Sequence, residues 1–278
     1  LSFVIEAGGA NDNRIPIATS YFGYLGTTQF TPSKLKEEFY KLGCSYSISS
    51  GDEQTVISLS GLNKNFDKAL LLLETVIADV VPDEAAYKNM VSDIMKVRTD
   101  AKLNQETILW DAMFSYGKFG PKSSFTDIMT EEQLSSIDPN VLTDVIKTLP
   151  SYKHKVLYYG PLSLEETSRK INSEHKLPDA GLKDAPQKVV YDELPITENT
   201  VYVVDYPDMV QAEILMISKK GPFNKELLPY ASMYNEYFGG GMSGIVFQEM
   251  RESKALAYST FSSFTSPPRK DRSHYNIA

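Results

Sequence analysis

The sequence has one cysteine, one tryptophan, three histidines and no surplus of positive charge. A single cysteine, Cys44, excludes an internal disulfide framework. It stands in a strand-like stretch with no histidine nearby, so it reads as a small buried apolar residue and not as a nucleophile. Lysine and arginine number 28 against 36 aspartates and glutamates, a net charge of −8. That balance argues against a nucleic-acid partner, because phosphate binding needs a clustered positive face. The one basic cluster, Arg269, Lys270 and Arg272, reads as a solvated loop. No apolar run approaches the roughly 18 residues of a membrane span. No secretory signal is recognisable either, but Leu1 is not a start methionine and "LSFVIEAGG" already reads as a strand. "SHYNIA" likewise stops inside a strand-like pattern, so the chain is expected to be part of a longer protein.

What is present is an ordinary globular composition, 42% apolar and 23% charged over 278 residues, enough for two domains. Residues 2–6 read as a strand. Thr31-Pro32 signals a helix start, with threonine as N-cap, and Gly43 signals its end. Cys44, Tyr46 and Ile48 alternate with serines, as do Ile57 and Leu59, which predicts a hairpin through "GDEQ". Phe66, Ala69, Leu70, Leu73 and Ile77 share one helical face; Tyr87, Met90, Val91 and Ile94 share another. Helices are also expected after the capping boxes Thr130/Gln133 and Ser163/Glu166, and after Asp138-Pro139. "KVLYYG" reads as a strand.

Residues 174–198 hold three prolines and many charges with little periodicity, the pattern of a connector. Beyond it the sequence predicts strands at "TVYVVDY" and "AEILMIS", a helix over about 228–238, a glycine cluster, a helix over about 243–253 and a strand from Ala257. This order repeats that of the first part. "YLGTTQ" at Tyr24 corresponds to "YFGGGM" at Tyr237, and the spacing from Gly26 to Cys44 (18) matches that from Gly239 to Tyr258 (19) within one gap. The fold class is therefore α+β: two related domains, 1–173 and 199–278, with the second truncated.

Gly239, Gly241 and Gly244 satisfy G-x-G-x-x-G, but the dinucleotide fingerprint needs a strand before the glycines, and here the periodicity before them is helical. The glycines are expected to cap one helix and turn the chain into the next, and no cofactor-binding residue is assigned. The turn leads to Arg251 and Tyr258. A guanidinium offers a fixed multi-donor cation and a phenol offers a hydroxyl donor, so the pair is able to hold a peptide carbonyl and stabilise an oxyanion. The plainer alternative is a solvated or ion-paired arginine beside a half-buried strand aromatic.

"GGGMSGIVFQEMRESKALAYS" resembles the signature of the pitrilysin/insulinase family of zinc metallopeptidases. "YLGTTQFTPSKLKEEFYKLGCSYSISSGDEQTVISLSGL" resembles the degenerate third domain of the long bacterial members. The resemblance implies a mainly antiparallel sheet covered by helices in each domain, and a chamber enclosed by two halves of the enzyme. One half carries zinc and a glutamate base on H-x-x-E-H. The other carries an arginine and a tyrosine seven residues apart, the spacing of Arg251 and Tyr258. On this resemblance Arg251 binds the substrate backbone and Tyr258 stabilises the tetrahedral intermediate.

No H-x-x-E-H occurs here, and His154, His175 and His274 are isolated, the first two reading as surface residues. The resemblance thus implies the C-terminal half of a zinc metalloendopeptidase that holds no metal itself and is inactive alone. Its partners would be peptide substrates and a zinc-bearing N-terminal half on the same polypeptide or on another subunit. The alternative is a non-catalytic structural or peptide-binding subunit of the same fold. The compartment, periplasm or cytoplasm, is open; the bacterial members favour the periplasm.

Overall fold

A computed structural model describes every residue except Pro207, Asp208 and Pro268. The chain begins with β1 (Ser2–Ile5), α1 (Arg14–Phe22), β2 (Gly26–Thr27), α2 (Pro32–Lys41), β3 (Cys44–Ser50) and β4 (Thr55–Gly61). It continues through α3 (Phe66–Asp79), β5 (Val80–Val81), α4 (Glu84–Ala101), a π-helical stretch (Thr107–Met113), α5 (Phe114–Phe119), α6 (Glu131–Ser136) and α7 (Pro139–Thr148). Then come β6 (His154–Leu157), α8 (Leu164–Glu174), β7 (Ile217–Pro222) and α9 (Leu227–Tyr234). Two further π-helical stretches (Asn235–Gly239 and Phe247–Ser253) precede β8 (Ser263–Thr265) and β9 (Ser273–Ile277).

The chain is a mixed α+β protein with antiparallel sheets. It forms two compact units, the first from 1–98 and 128–190, the second from 99–127 and 191–278. In the first unit a four-stranded sheet runs β3-β4-β1-β6, every neighbour antiparallel. The β3–β4 hairpin closes through Gly51–Gln54, where the Gly51 amide donates to the Gln54 carbonyl at 2.9 Å. Alternation decides which face is buried: Ile57 and Leu59 are buried, and Phe3 and Ile5 of β1 complete the same apolar layer. The helices close over it. Leu70, Leu73 and Ile77 of α3, Tyr87 and Met90 of α4, and Leu142 and Ile146 of α7 are all buried.

Helix starts follow the local chemistry. The Thr31 side chain accepts from the Lys34 amide, and complete capping boxes open α6 (Thr130/Gln133) and α8 (Ser163/Glu166). Asp138 caps α7 with Pro139 at its first position. Cys44 is half-buried at the start of β3, its thiol directed at the Leu42 carbonyl.

Residues 174–198 contain no helix or extended strand after the end of α8, but both ends of the segment are tied down. The Lys153 amide donates to Lys183, and the Val189 amide donates to Ala10 in the first unit. The Leu194 amide donates to Lys118, and the Arg272 guanidinium donates to the Tyr191 carbonyl in the second.

By compactness the segment 174–198 divides between the units at 190/191, and residues 99–127 belong with the second. Aromatic packing accounts for this: Trp110 packs on Phe261, and Tyr116 meets Tyr202 edge-on. The second unit's sheet is small, β7-β9-β8. The expected strand at 200–206 is irregular backbone, and the one at 212–218 is irregular until Met216, whose backbone pairs with Ala278, and extended from Ile217, where β7 starts. Strand propensity needs a partner to become a strand. Among the described residues no strand pairs with 200–206 or 212–215, and Val201, Val203 and Ile214 are exposed.

Candidate functional site

The polypeptide reaches the candidate site through α9 and the glycines. Leu227, Tyr230, Tyr234 and Phe238, which keep helical spacing, are exposed or half-buried, and Ala231 is the residue of α9 that is buried. The π-helical stretch Asn235–Gly239 then ends against the backbone. A Cβ on Gly239 would lie 1.7 Å from the Ser262 carbonyl oxygen, so glycine is required there for close approach. Gly241 has φ +64 with open space around it, so its requirement is conformational. The glycines therefore follow a helix and turn a corner, as the periodicity predicts, and no strand-to-helix phosphate cradle is formed.

The second helical segment is π-helical over Phe247–Ser253, the wider turn that recurs at functional sites. Ile245, Val246 and Phe247 are only half-buried. The segment closes through a turn in which the Leu256 amide donates to Met250 at 2.8 Å and the Ala255 amide donates to Arg251 at 3.2 Å. Ala255 holds φ 49, a left-handed conformation that costs a residue with a Cβ roughly 1–2 kcal/mol. That turn folds Tyr258 back over Arg251. The guanidinium carbon lies 4.8 Å from the centroid of the Tyr258 ring and 4.8 Å from that of Phe247. Stacking of this kind fixes the plane of the guanidinium while leaving its N–H edge available.

Arg251 and Tyr258 are therefore adjacent in space. Tyr258 departs from expectation in one respect: it is 81% exposed and precedes β8 instead of standing half-buried in a strand. Its hydroxyl makes no hydrogen bond among the described residues. Arg251 is partly exposed and has Glu252 at 3.7 Å, while Lys254 sits 3.4 Å from Glu249. Exposed pairs at these distances contribute about 0–1 kcal/mol, so they do not immobilise the guanidinium against a ligand. Chemically the pair presents a flat cation and a phenolic donor on one surface, suited to a carbonyl oxygen and to negative charge developing on it.

The histidines correct the sequence reading. His154 and His175 are neither isolated nor superficial: their Nε2 atoms are 3.2 Å apart, and Nδ1 of His175 is 2.7 Å from Oε1 of Glu74. Glu74 and His175 are separated by 101 residues, so no local motif announces the cluster. His274 is fully buried, with Nε2 accepting from the Asn224 amide. Among the described residues no group of three or more histidine, cysteine, aspartate or glutamate side chains is placed to hold a metal ion. No described helix is long and apolar enough to cross a membrane.

Comparison with known proteins gives the fold a family. Residues 136–275 match the family described as "Peptidase M16 inactive domain". A curated relative, an "uncharacterized zinc protease" of Rickettsia felis, is 23% identical over 272 residues, covering 93% of this chain. The chain spans 62% of that relative's length. The solved peptidase M16 inactive domain from Pseudomonas fluorescens superposes with a TM-score of 0.67 at 14% identity, over 99% of this chain and 67% of the other. The periplasmic protease PqqL from Escherichia coli gives a TM-score of 0.68 at 15% identity, over 99% of this chain and 31% of the other. At such identities the structural likeness speaks for the fold.

Proposed function

Because the chain belongs to the peptidase M16 family, as the resemblance to pitrilysin and insulinase implies, we propose that it is the C-terminal half of a zinc metalloendopeptidase. It would contribute substrate binding and transition-state stabilisation to a site whose zinc lies on another half. The observation that carries this reading is the stacking of Arg251 on Tyr258 at 4.8 Å, with the tyrosine hydroxyl unengaged.

Activation of the attacking water belongs to the zinc-bearing half; the described residues of this chain do not form a ligand set that would fit the metal. The chain's own part is electrostatic. Arg251 donates from its guanidinium edge to a substrate backbone carbonyl, which positions the peptide. Tyr258 donates its hydroxyl to the scissile oxygen as negative charge grows there. Phe247 and the strained turn at Ala255 keep the two groups in register. In this reading 1–173 and 199–278 are the family's two repeated domains joined by 174–198, and the zinc-bearing half lies on the same polypeptide or on a partner subunit. The periplasm is the proposed compartment, by likeness to the periplasmic protease PqqL. A non-catalytic scaffold would have no use for an exposed phenol held over an arginine, which favours the enzyme over the structural reading.

Arg251→Lys in the full-length protein tests the positioning role. Lysine keeps the charge but loses the planar fork and the stack. The loss of one charge-assisted hydrogen bond, about 1.5–3 kcal/mol, predicts a kcat/KM for peptides roughly 10- to 100-fold lower. An unchanged kcat/KM contradicts the role given to Arg251.

A further inference from the structure

The cluster of Glu74, His175 and His154 lies outside the Arg251–Tyr258 surface and has no part in the proposed reaction. It sits in the first unit, where the end of α8, the face of α3 and the edge strand β6 converge. Glu74 projects from α3, His154 opens β6, and His175 is the residue that ends α8. The side chains of His175 and Glu74 are 7% and 12% exposed. Phe3 and Ile5 of β1, Ile57 of β4, Ile77 of α3 and Pro150 surround them with apolar surface. The Phe3 ring stacks on His175 with centroids 4.6 Å apart and meets His154 edge-on at 5.6 Å. Glu74 is thus the one charged group among the residues lining the space. The nearest ion pairs on the packed elements, Lys170–Asp67 between α8 and α3, Lys155–Glu6 beside β6 and Lys153–Asp184, are turned to the surface and paired with one another.

Hydrogen-bond geometry counts the protons in this cluster. Nδ1 of His154 is 2.8 Å from the Tyr152 carbonyl, which can only accept, so that nitrogen carries a hydrogen. Nε2 of a neutral His154 is then a lone pair. It faces Nε2 of His175 at 3.2 Å, so His175 must donate across that contact. On its other side Nδ1 of His175 meets Glu74 Oε1 at 2.7 Å, and that contact also needs one hydrogen. Whether the last proton sits on the imidazole or on the carboxylate, the three groups together are electrically neutral and share the same number of protons. Removing one proton leaves either two lone pairs opposed between the rings or a carboxylate facing a lone pair. Adding one sets N–H against N–H. Both are costly in an apolar enclosure.

We infer that Glu74, His175 and His154 form a proton-sharing latch that fastens the end of α8 and edge strand β6 to α3, and that releases when a proton is added or removed. Its consequence is a pH-gated local opening. The seam around 152–158 and 164–176 is closed while the cluster keeps its protons and loosens when one is gained or lost, while the sheet β3-β4-β1 stays intact.

Hydrogen–deuterium exchange of the full-length protein across about pH 5 to pH 9, corrected for intrinsic exchange, reads the latch directly. Peptides covering 152–158 and 164–176 are expected to lose protection at both ends of the range, by up to about tenfold per pH unit for one proton gained or lost. Peptides of the β3–β4 hairpin serve as the unchanging reference. The paired variant His154→Leu with His175→Leu, which fills the space with apolar side chains, is expected to flatten the profile. Should that variant fail to fold, Glu74→Gln, which keeps the shape and removes the proton-accepting charge, is expected to abolish the alkaline-side change. Protection that is flat with pH in the wild type overturns the inference, as does a profile that survives both variants. Loss of protection on adding a chelator at neutral pH would show a metal ion between the rings in place of the proton, and would overturn it too.

Discussion

Tyr258→Phe in the full-length protein is expected to lower kcat for peptide hydrolysis by about 10²–10³-fold, equivalent to roughly 2.7–4 kcal/mol of transition-state stabilisation. The substitution is informative because it separates two parts of one side chain. The ring that stacks on Arg251 at 4.8 Å remains, so the guanidinium keeps its orientation and KM is expected to move little. The hydroxyl, which makes no hydrogen bond among the described residues, is the only group lost. Folding stability should therefore change by less than about 0.5 kcal/mol, as for other exposed substitutions. An interaction made only in the transition state lowers kcat and kcat/KM together. A kcat within a few-fold of wild type would remove the oxyanion role. A raised KM at unchanged kcat would turn Tyr258 into a substrate grip.

Gly239→Ala is expected to destabilise the second unit by about 3 kcal/mol or more, the upper end of overpacking costs. Its added Cβ would stand 1.7 Å from the Ser262 carbonyl oxygen, and backbone on both sides gives the clash no flexible side chain to displace. Ser262 lies four residues beyond Tyr258, so forcing the two backbones apart also shifts the surface on which Arg251 and Tyr258 meet. Gly241→Ala is the matched control. Nothing lies within 4 Å of its Cβ position and only the φ of +64 opposes it, so it should cost about 1–2 kcal/mol. Thermal unfolding of both variants reads the comparison. Equal, small effects would mean that Gly239 and Ser262 are not apposed as described.

These contrasts show what sequence can carry. Caps, the β3–β4 hairpin and the buried face of α3 are local: Thr130 and Gln133 are three residues apart, and Leu70, Leu73 and Ile77 repeat with the helical period. Such features were legible because the interacting groups are neighbours in the chain. The irregular backbone at 200–206 and 212–215 was not, because propensity specifies a willing strand and only a partner makes one. The catalytic candidates fall between. Their seven-residue spacing was readable, but the fold-back of Tyr258 onto Arg251 depends on Ala255 adopting a positive φ, for which alanine gives no signal. The Glu74–His175–His154 cluster lay furthest out of reach, since its members meet only through the packing of α3, α8 and β6.

The proposed function has this chain complete an active site whose metal is held elsewhere. The most direct measurement is the zinc content of the native assembly captured from its source cells through this chain, determined together with its intact mass and its peptide hydrolysis. Zinc is expected on a half outside residues 1–278, whether on a longer polypeptide or a second subunit, with hydrolysis that is lost with the zinc and returns with it. An assembly with no zinc in any associated chain, or one whose hydrolysis survives zinc removal, would contradict it.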